Sequence, residues 1–226
     1  MRIYRYYTIA IIALGAGCVW LASISYDRQP GTIYFAWQHL TLFILLGLLL
    51  NRMTSRLLGP GRRYAMAFFA PIVLLGPAMT TLLGTAASLL QGAASILREA
   101  CFDRRKTGDE GTSAPSRRKG DESIYQGKGR NGLFATHLLN AAQAAIAIMF
   151  SGQIFLALGA EVGEIHTAPD LVPAVLAGVC LLLIEILLSE TTTAFDRGRP
   201  LLPAWRNGLA RSLPVEGSVV GLGLLL

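Results

Sequence analysis

Residues 171–189 read Leu-Val-Pro-Ala-Val-Leu-Ala-Gly-Val-Cys-Leu-Leu-Leu-Ile-Glu-Ile-Leu-Leu-Ser, and the basic residues that follow are Arg197, Arg199, Arg206 and Arg211. A helix needs about 20 predominantly apolar residues to cross a hydrocarbon layer about 30 Å thick. The run is therefore read as a membrane span. Short loops rich in Lys and Arg stay on the cytoplasmic side, so the span is expected to run inward and stop at the arginines. The residues before it, 159–170, contain Glu161, Glu164, His166 and Asp170 and neither Lys nor Arg. They are assigned to the outer face.

The same rule threads the rest of the chain. Residues 7–24 form a first span, with Arg2 and Arg5 inside and residues 26–31 outside. Residues 33–50 form a second span, which begins with Tyr34, Phe35 and Trp37 in an interfacial aromatic belt and ends at Arg52, Arg56, Arg62 and Arg63. Residues 64–97 are long for one crossing and short for two. A single crossing would put a basic loop outside, so a hairpin of two short or tilted helices, either crossing or re-entrant, is expected, with its tip near residues 76–84, where Gly76-Pro77 and Gly84 fall. Residues 133–158 run outward again. The final run, 213–226, is either a buried partial span or a segment that a longer relative would continue. In this threading nineteen of the twenty Lys and Arg residues lie on one side and Arg28 alone on the other.

The fold class expected is an all-α polytopic membrane bundle of about six or seven segments, including a short or broken hairpin, with the N-terminus inside. It divides into N-terminal membrane segments (1–97), a disordered cytoplasmic loop (98–131) and C-terminal membrane segments (132–226). The loop carries nine basic and six acidic residues and no hydrophobic periodicity. Composition agrees with this class: 53% of the 226 residues are hydrophobic and 15% charged, against about 25% charged in soluble domains. The net charge of +6 sits beside apolar runs, where it serves topology and contact with anionic lipid, and no nucleic-acid partner is expected. Cys18, Cys101 and Cys180 are far apart and form no disulfide framework or CxxC pair. The N-terminal apolar run lacks a clear small-x-small cleavage site before Tyr26 and is read as a retained span.

Polar residues inside apolar spans carry the functional signal, because ionisable groups in hydrocarbon are costly and face a bundle interior or a wet cavity. Glu185 is the most costly of these, and is expected to be protonated or partnered. The threading puts His137, Asn140, Gln143, Glu185 and Glu216 at similar depth in the inner half of the bilayer, as a candidate polar cluster that either binds a ligand or proton or pins the helices. Ala144, Ala147, Ser151 and Gly152 make a small-residue surface on the same helix, suited to close packing within the bundle or to self-association. Residues 127–132 match GxGxxG but lie between a charged loop and a span rather than in a βαβ unit, so no nucleotide site is assigned. Gln38, His39 and the acidic outer loop with His166 repeat no metal-ligand spacing. No cofactor, metal or catalytic residue is assigned, and no enzyme is expected.

Asn140-Ala141-Ala142-Gln143, opening an Ala-rich span, resembles the FNxAQ segment of the multi-span membrane regions that precede HD-type phosphohydrolase or diguanylate cyclase domains in bacterial signalling proteins. Residues 197–207, Arg-Gly-Arg-Pro-Leu-Leu-Pro-Ala-Trp-Arg-Asn, followed by Ser212-Leu213-Pro214, are similar to that family's xGxxxxxVWRxNxxxxLP connection into its last helix, and Leu74-Leu75-Gly76-Pro77 fits its Gly-Pro break. The resemblance covers residues 64–226. This chain departs from the pattern at Leu139, where the family often has Phe, and at Glu185, where it commonly has an amide. It contains neither a His-Asp doublet nor a GGDEF-like turn, so the family's catalytic residues have no counterparts here. The resemblance implies a non-catalytic sensor or regulatory module in the bacterial cytoplasmic membrane, acting through a protein partner or a second copy. The alternatives are a small-molecule uptake component and a structural subunit of a larger membrane complex.

Overall fold

The computed structural model describes residues 2–26, 69–108, 130–162 and 171–225. Its regular elements are five helices: α1 (Arg2–Tyr26), α2 (Phe69–Gly108), α3 (Arg130–Ala157), α4 (Leu171–Arg197) and α5 (Leu201–Leu225). Four stretches, Ile3–Ser25, Leu75–Leu97, Phe134–Ala157 and Leu171–Arg197, are long and apolar enough to cross a membrane. An all-helical solution suits such a chain, because each helix satisfies its own backbone polar groups where no water reaches them. Six or seven segments are not found among the described residues, and the span expected at 33–50 lies outside them.

Helix α3 occupies the centre. Every residue from 141 to 149 is buried, which requires neighbours on all sides of the helix rather than along one stripe. On one side Ile11 and Cys18 of α1 pack with Leu139, Ala142, Ala145, Ile146 and Met149. On another, Ile72 and Val73 of α2 and Ala174, Ala177 and Leu181 of α4 enclose Ala144, Ala147, Ile148 and Phe155. Small residues make these approaches possible. A Cβ on Gly15 would stand 2.6 Å from the Cα of Ala142, and one on Gly152 would stand 2.2 Å from the Cβ of Pro77. The small-residue surface of α3 is thus spent inside the bundle.

Helices that follow one another among the described elements alternate in direction. Thr81 on α2 meets Met149 while Gly92 meets His137, so α2 and α3 are antiparallel. Ser151 bonds Ala177 while Gln143 bonds Leu188, so α3 and α4 are antiparallel too. Tyr7 packs edge-on against Phe195, with ring centroids 5.1 Å apart, and brings the start of α1 to the end of α4. The start of α1, the end of α2, the start of α3 and the end of α4 therefore share one end of the bundle.

In residues 64–97, where a hairpin with its tip near 76–84 is expected, the described backbone from residue 69 on consists of two helices that meet at a kink at Gly76 (φ 78°, ψ 167°), and the second runs unbroken through Gly84 and Gly92. Those two glycines are buried, a Cβ on Gly92 would stand 2.7 Å from the Cβ of His137, and Pro77 stands where a proline starts a helix without losing a bond. The loop begins later than residue 98, since α2 continues to Gly108. Arg, Glu, Ala and Lys in residues 98–106 are good helix formers, and polarity alone did not end the helix. Residues 109–129 lie outside the described residues.

Candidate functional site

A polar node joins three helices at the end of the bundle where α4 finishes. Gln143 Nε2 of α3 donates to the Leu188 carbonyl (3.2 Å) and to Thr192 Oγ1 (2.6 Å) on α4. Tyr7 Oη of α1 donates to the same carbonyl at 3.0 Å. Thr192 Oγ1 donates back to it at 2.9 Å, an i−4 bond that threonine commonly makes in helices. One backbone oxygen thereby gathers donors from three helices. Interhelical hydrogen bonds of this kind contribute about 0.6 to 2 kcal/mol each.

The adjacent residue faces another helix. Trp205 Nε1 of α5 donates to Thr191 Oγ1 at 2.9 Å, and a Cβ on Gly208 would stand 2.3 Å from the Cγ of Glu190. Helix α5 therefore returns along α4. The reversal is made at Gly198 (φ 62°), with the Arg199 amide donating to the Ala194 carbonyl at 2.8 Å, as in a Schellman cap. Residues 188–192 of α4 are shared: one side holds α1 and α3, the other α5.

The five expected cluster residues are distributed unevenly around this node. Gln143 is its centre. Glu185 is buried, at 7% exposure, and stands three residues before Leu188 on α4, within one turn of the node. His137 is half-buried and turned to another neighbour: its Nε2 lies 2.7 Å from Ser95 Oγ on α2. Asn140 is exposed. Glu216 is on α5, and its side chain lies outside the described residues, as do Glu164, His166, Asp170, Gln38 and His39.

Tyr7, Ser95, Thr191, Thr192 and Trp205 complete these contacts and were not singled out by their types. The hydroxyl run Thr191-Thr192-Thr193 directly after an apolar span was the available signal. Further from the node, Ser151 Oγ donates to the Ala177 carbonyl at 2.8 Å. Ser88 Oγ is buried without a hydrogen-bond partner. Among the described residues no group of three or more His, Cys, Asp or Glu is placed to hold a metal ion. Comparison of the chain with protein-family models, curated proteins and solved structures finds no match.

Proposed function

We propose that the chain is a non-catalytic sensor or regulatory module of the bacterial cytoplasmic membrane, with its N-terminus inside, that passes changes in helix packing to a cytoplasmic partner. The observation that carries this reading is the sharing of residues 188–192. A shift of α1 or α3 against α4 acts on Thr192 and Leu188, and Thr191, the next residue, holds α5. Support for the orientation comes from Arg5, Arg98, Arg130 and Arg197, which all belong to the end of the bundle that holds the node. The resemblance of residues 197–214 to a connection leading into the last helix of signalling proteins supports the direction of transmission.

Uptake is the weaker alternative, because a transporter carries its substrate through a polar path between helices. Here the centre is occupied by the continuously buried residues 141–149. The test is the cellular concentration of cyclic diguanylate in the native host, compared between wild type and Gln143→Leu at equal membrane abundance. A shift of several-fold supports regulation of a cyclic-nucleotide enzyme. An unchanged concentration together with altered accumulation of a small solute contradicts it.

A further inference from the structure

We propose that the elbow between α4 and α5 is a binding surface for anionic phospholipid, with Arg197, Arg199, Arg206 and Arg211 holding headgroup phosphates. All four side chains are exposed, and residues 197–213 contain no Asp or Glu. With Glu190 and the exposed Asp196 of the α4 arm included, residues 190–213 hold four basic and two acidic side chains, so the elbow keeps a net positive charge. Guanidinium groups match phosphate oxygens in a two-bond fork.

Depth places Arg197, Arg199 and Arg206 at the headgroup layer, while Arg211, three residues past Gly208, which meets Glu190, starts about one turn deeper and reaches that layer by extending its side chain. The apolar part of α4 ends at Ser189, and Trp205, bonded to Thr191, marks the same level, where tryptophan is favoured in membranes. Arg206 follows Trp205 directly. Arg197 lies eight residues beyond Ser189, about 12 Å along the helix axis, and long basic side chains bridge such distances by extending along the interface. The turn at Gly198 (φ 62°) keeps Arg206 near Arg197 and Arg199 instead of leaving the three spread along one rod.

The chemistry between the arginines favours lipid over an acidic protein. Leu202, Leu209 and Leu213 are spaced by seven and four residues on α5 and share one face with Arg206. Leu202 is 75% and Leu213 42% exposed. Leucines interleaved with a guanidinium on one exposed face suit acyl chains below a row of phosphates. The inference depends on the membrane placement of α4 and is independent of the regulatory reading.

The test uses the purified full chain in neutral detergent. Its melting temperature is followed while phosphatidylglycerol, phosphatidylcholine with the same acyl chains, or inorganic phosphate is added. Phosphatidylglycerol should raise the midpoint, while the other two leave it unchanged. In Arg199→Gln/Arg206→Gln the concentration of phosphatidylglycerol required should rise on the order of fivefold per arginine, while Arg5→Gln should behave as wild type. Three results would each overturn the proposal: equal stabilisation by phosphatidylcholine, an undiminished phosphatidylglycerol response in the double variant, or a full response to inorganic phosphate alone.

Discussion

Thr191 and Thr192 are consecutive residues of α4, yet they accept hydrogen bonds from different helices: Trp205 of α5 at 2.9 Å and Gln143 of α3 at 2.6 Å. Both hydroxyls donate their own protons backwards, Thr191 to the Leu187 carbonyl at 2.7 Å and Thr192 to the Leu188 carbonyl at 2.9 Å. That fixes each proton and leaves lone pairs to receive the incoming N–H groups. Thr192→Val keeps the shape and removes the acceptor. It should destabilise the protein by about 1 to 2 kcal/mol, read as a lowered melting temperature in detergent. Thr193→Val is the control, because the Thr193 hydroxyl turns back to the Ser189 carbonyl of its own helix; its midpoint should stay near wild type.

Two glycines on α1 should respond in opposite ways to the same change. A Cβ on Gly15 would collide with Ala142 at 2.6 Å, whereas one on Gly17 meets nothing within 4 Å. Gly15→Ala should cost about 1 to 3 kcal/mol through overpacking. Gly17→Ala should be neutral or stabilise by up to about 1 kcal/mol, since alanine is the better helix former. Paired thermal melts of the two variants check this, and equal effects would mean that α1 does not approach α3 at Gly15.

At Gly76 the constraint is the backbone itself. Its φ of 78° and ψ of 167° fall in a region open almost only to glycine, costing other residues about 1 to 3 kcal/mol. The methyl group would also meet Val162 Cγ2 at 3.3 Å. Gly76→Ala should lower the melting temperature measurably, while Gly159→Ala, also at positive φ (81°) but with nothing near its Cβ, should cost only the backbone part. Similar losses at both sites would remove the argument from packing against Val162.

Burial makes the chemistry at residue 185 directional. Glu185→Gln keeps the size and polar edges of the side chain, and should insert and melt like wild type. Glu185→Lys puts an ammonium group at a position only 7% exposed, where an uncompensated charge costs several kcal/mol. It should lower the midpoint sharply or reduce membrane yield. Wild-type behaviour of the lysine variant would mean that residue 185 reaches water or headgroups.

What could be read from the chain and what could not divides along a physical line. Membership of apolar helices was legible: hydropathy puts His137 and Gln143 in the stretch Phe134–Ala157 and Glu185 in Leu171–Arg197. Azimuth was not. His137 and Gln143 are six residues apart and so about 120° apart around the helix, and only the placement of α2 and α4 shows that one meets Ser95 and the other Thr192. Helix ends were blurred for a related reason. Thr191 to Thr193 lie past the apolar run that ends at Ser189, but their hydroxyls return to the helix backbone, so α4 continues to Arg197. Gly92 looks like a break by residue type and is a packing position in fact, because a Cβ there would meet His137 of α3, a partner distant in sequence.

The central claim is that residues 188–192 couple the packing of α3 to that of α5. Gln143 and Trp205 are bound to neighbouring threonines, so a double-mutant cycle between Gln143→Leu and Trp205→Phe measures this coupling directly. Sites that are independent add within about 0.3 to 0.5 kcal/mol. The account expects the double variant to depart from additivity by about 0.5 to 1 kcal/mol or more, with each single variant still inserted and folded. Additive losses would contradict it, leaving α5 as a helix held beside the bundle without connection to it.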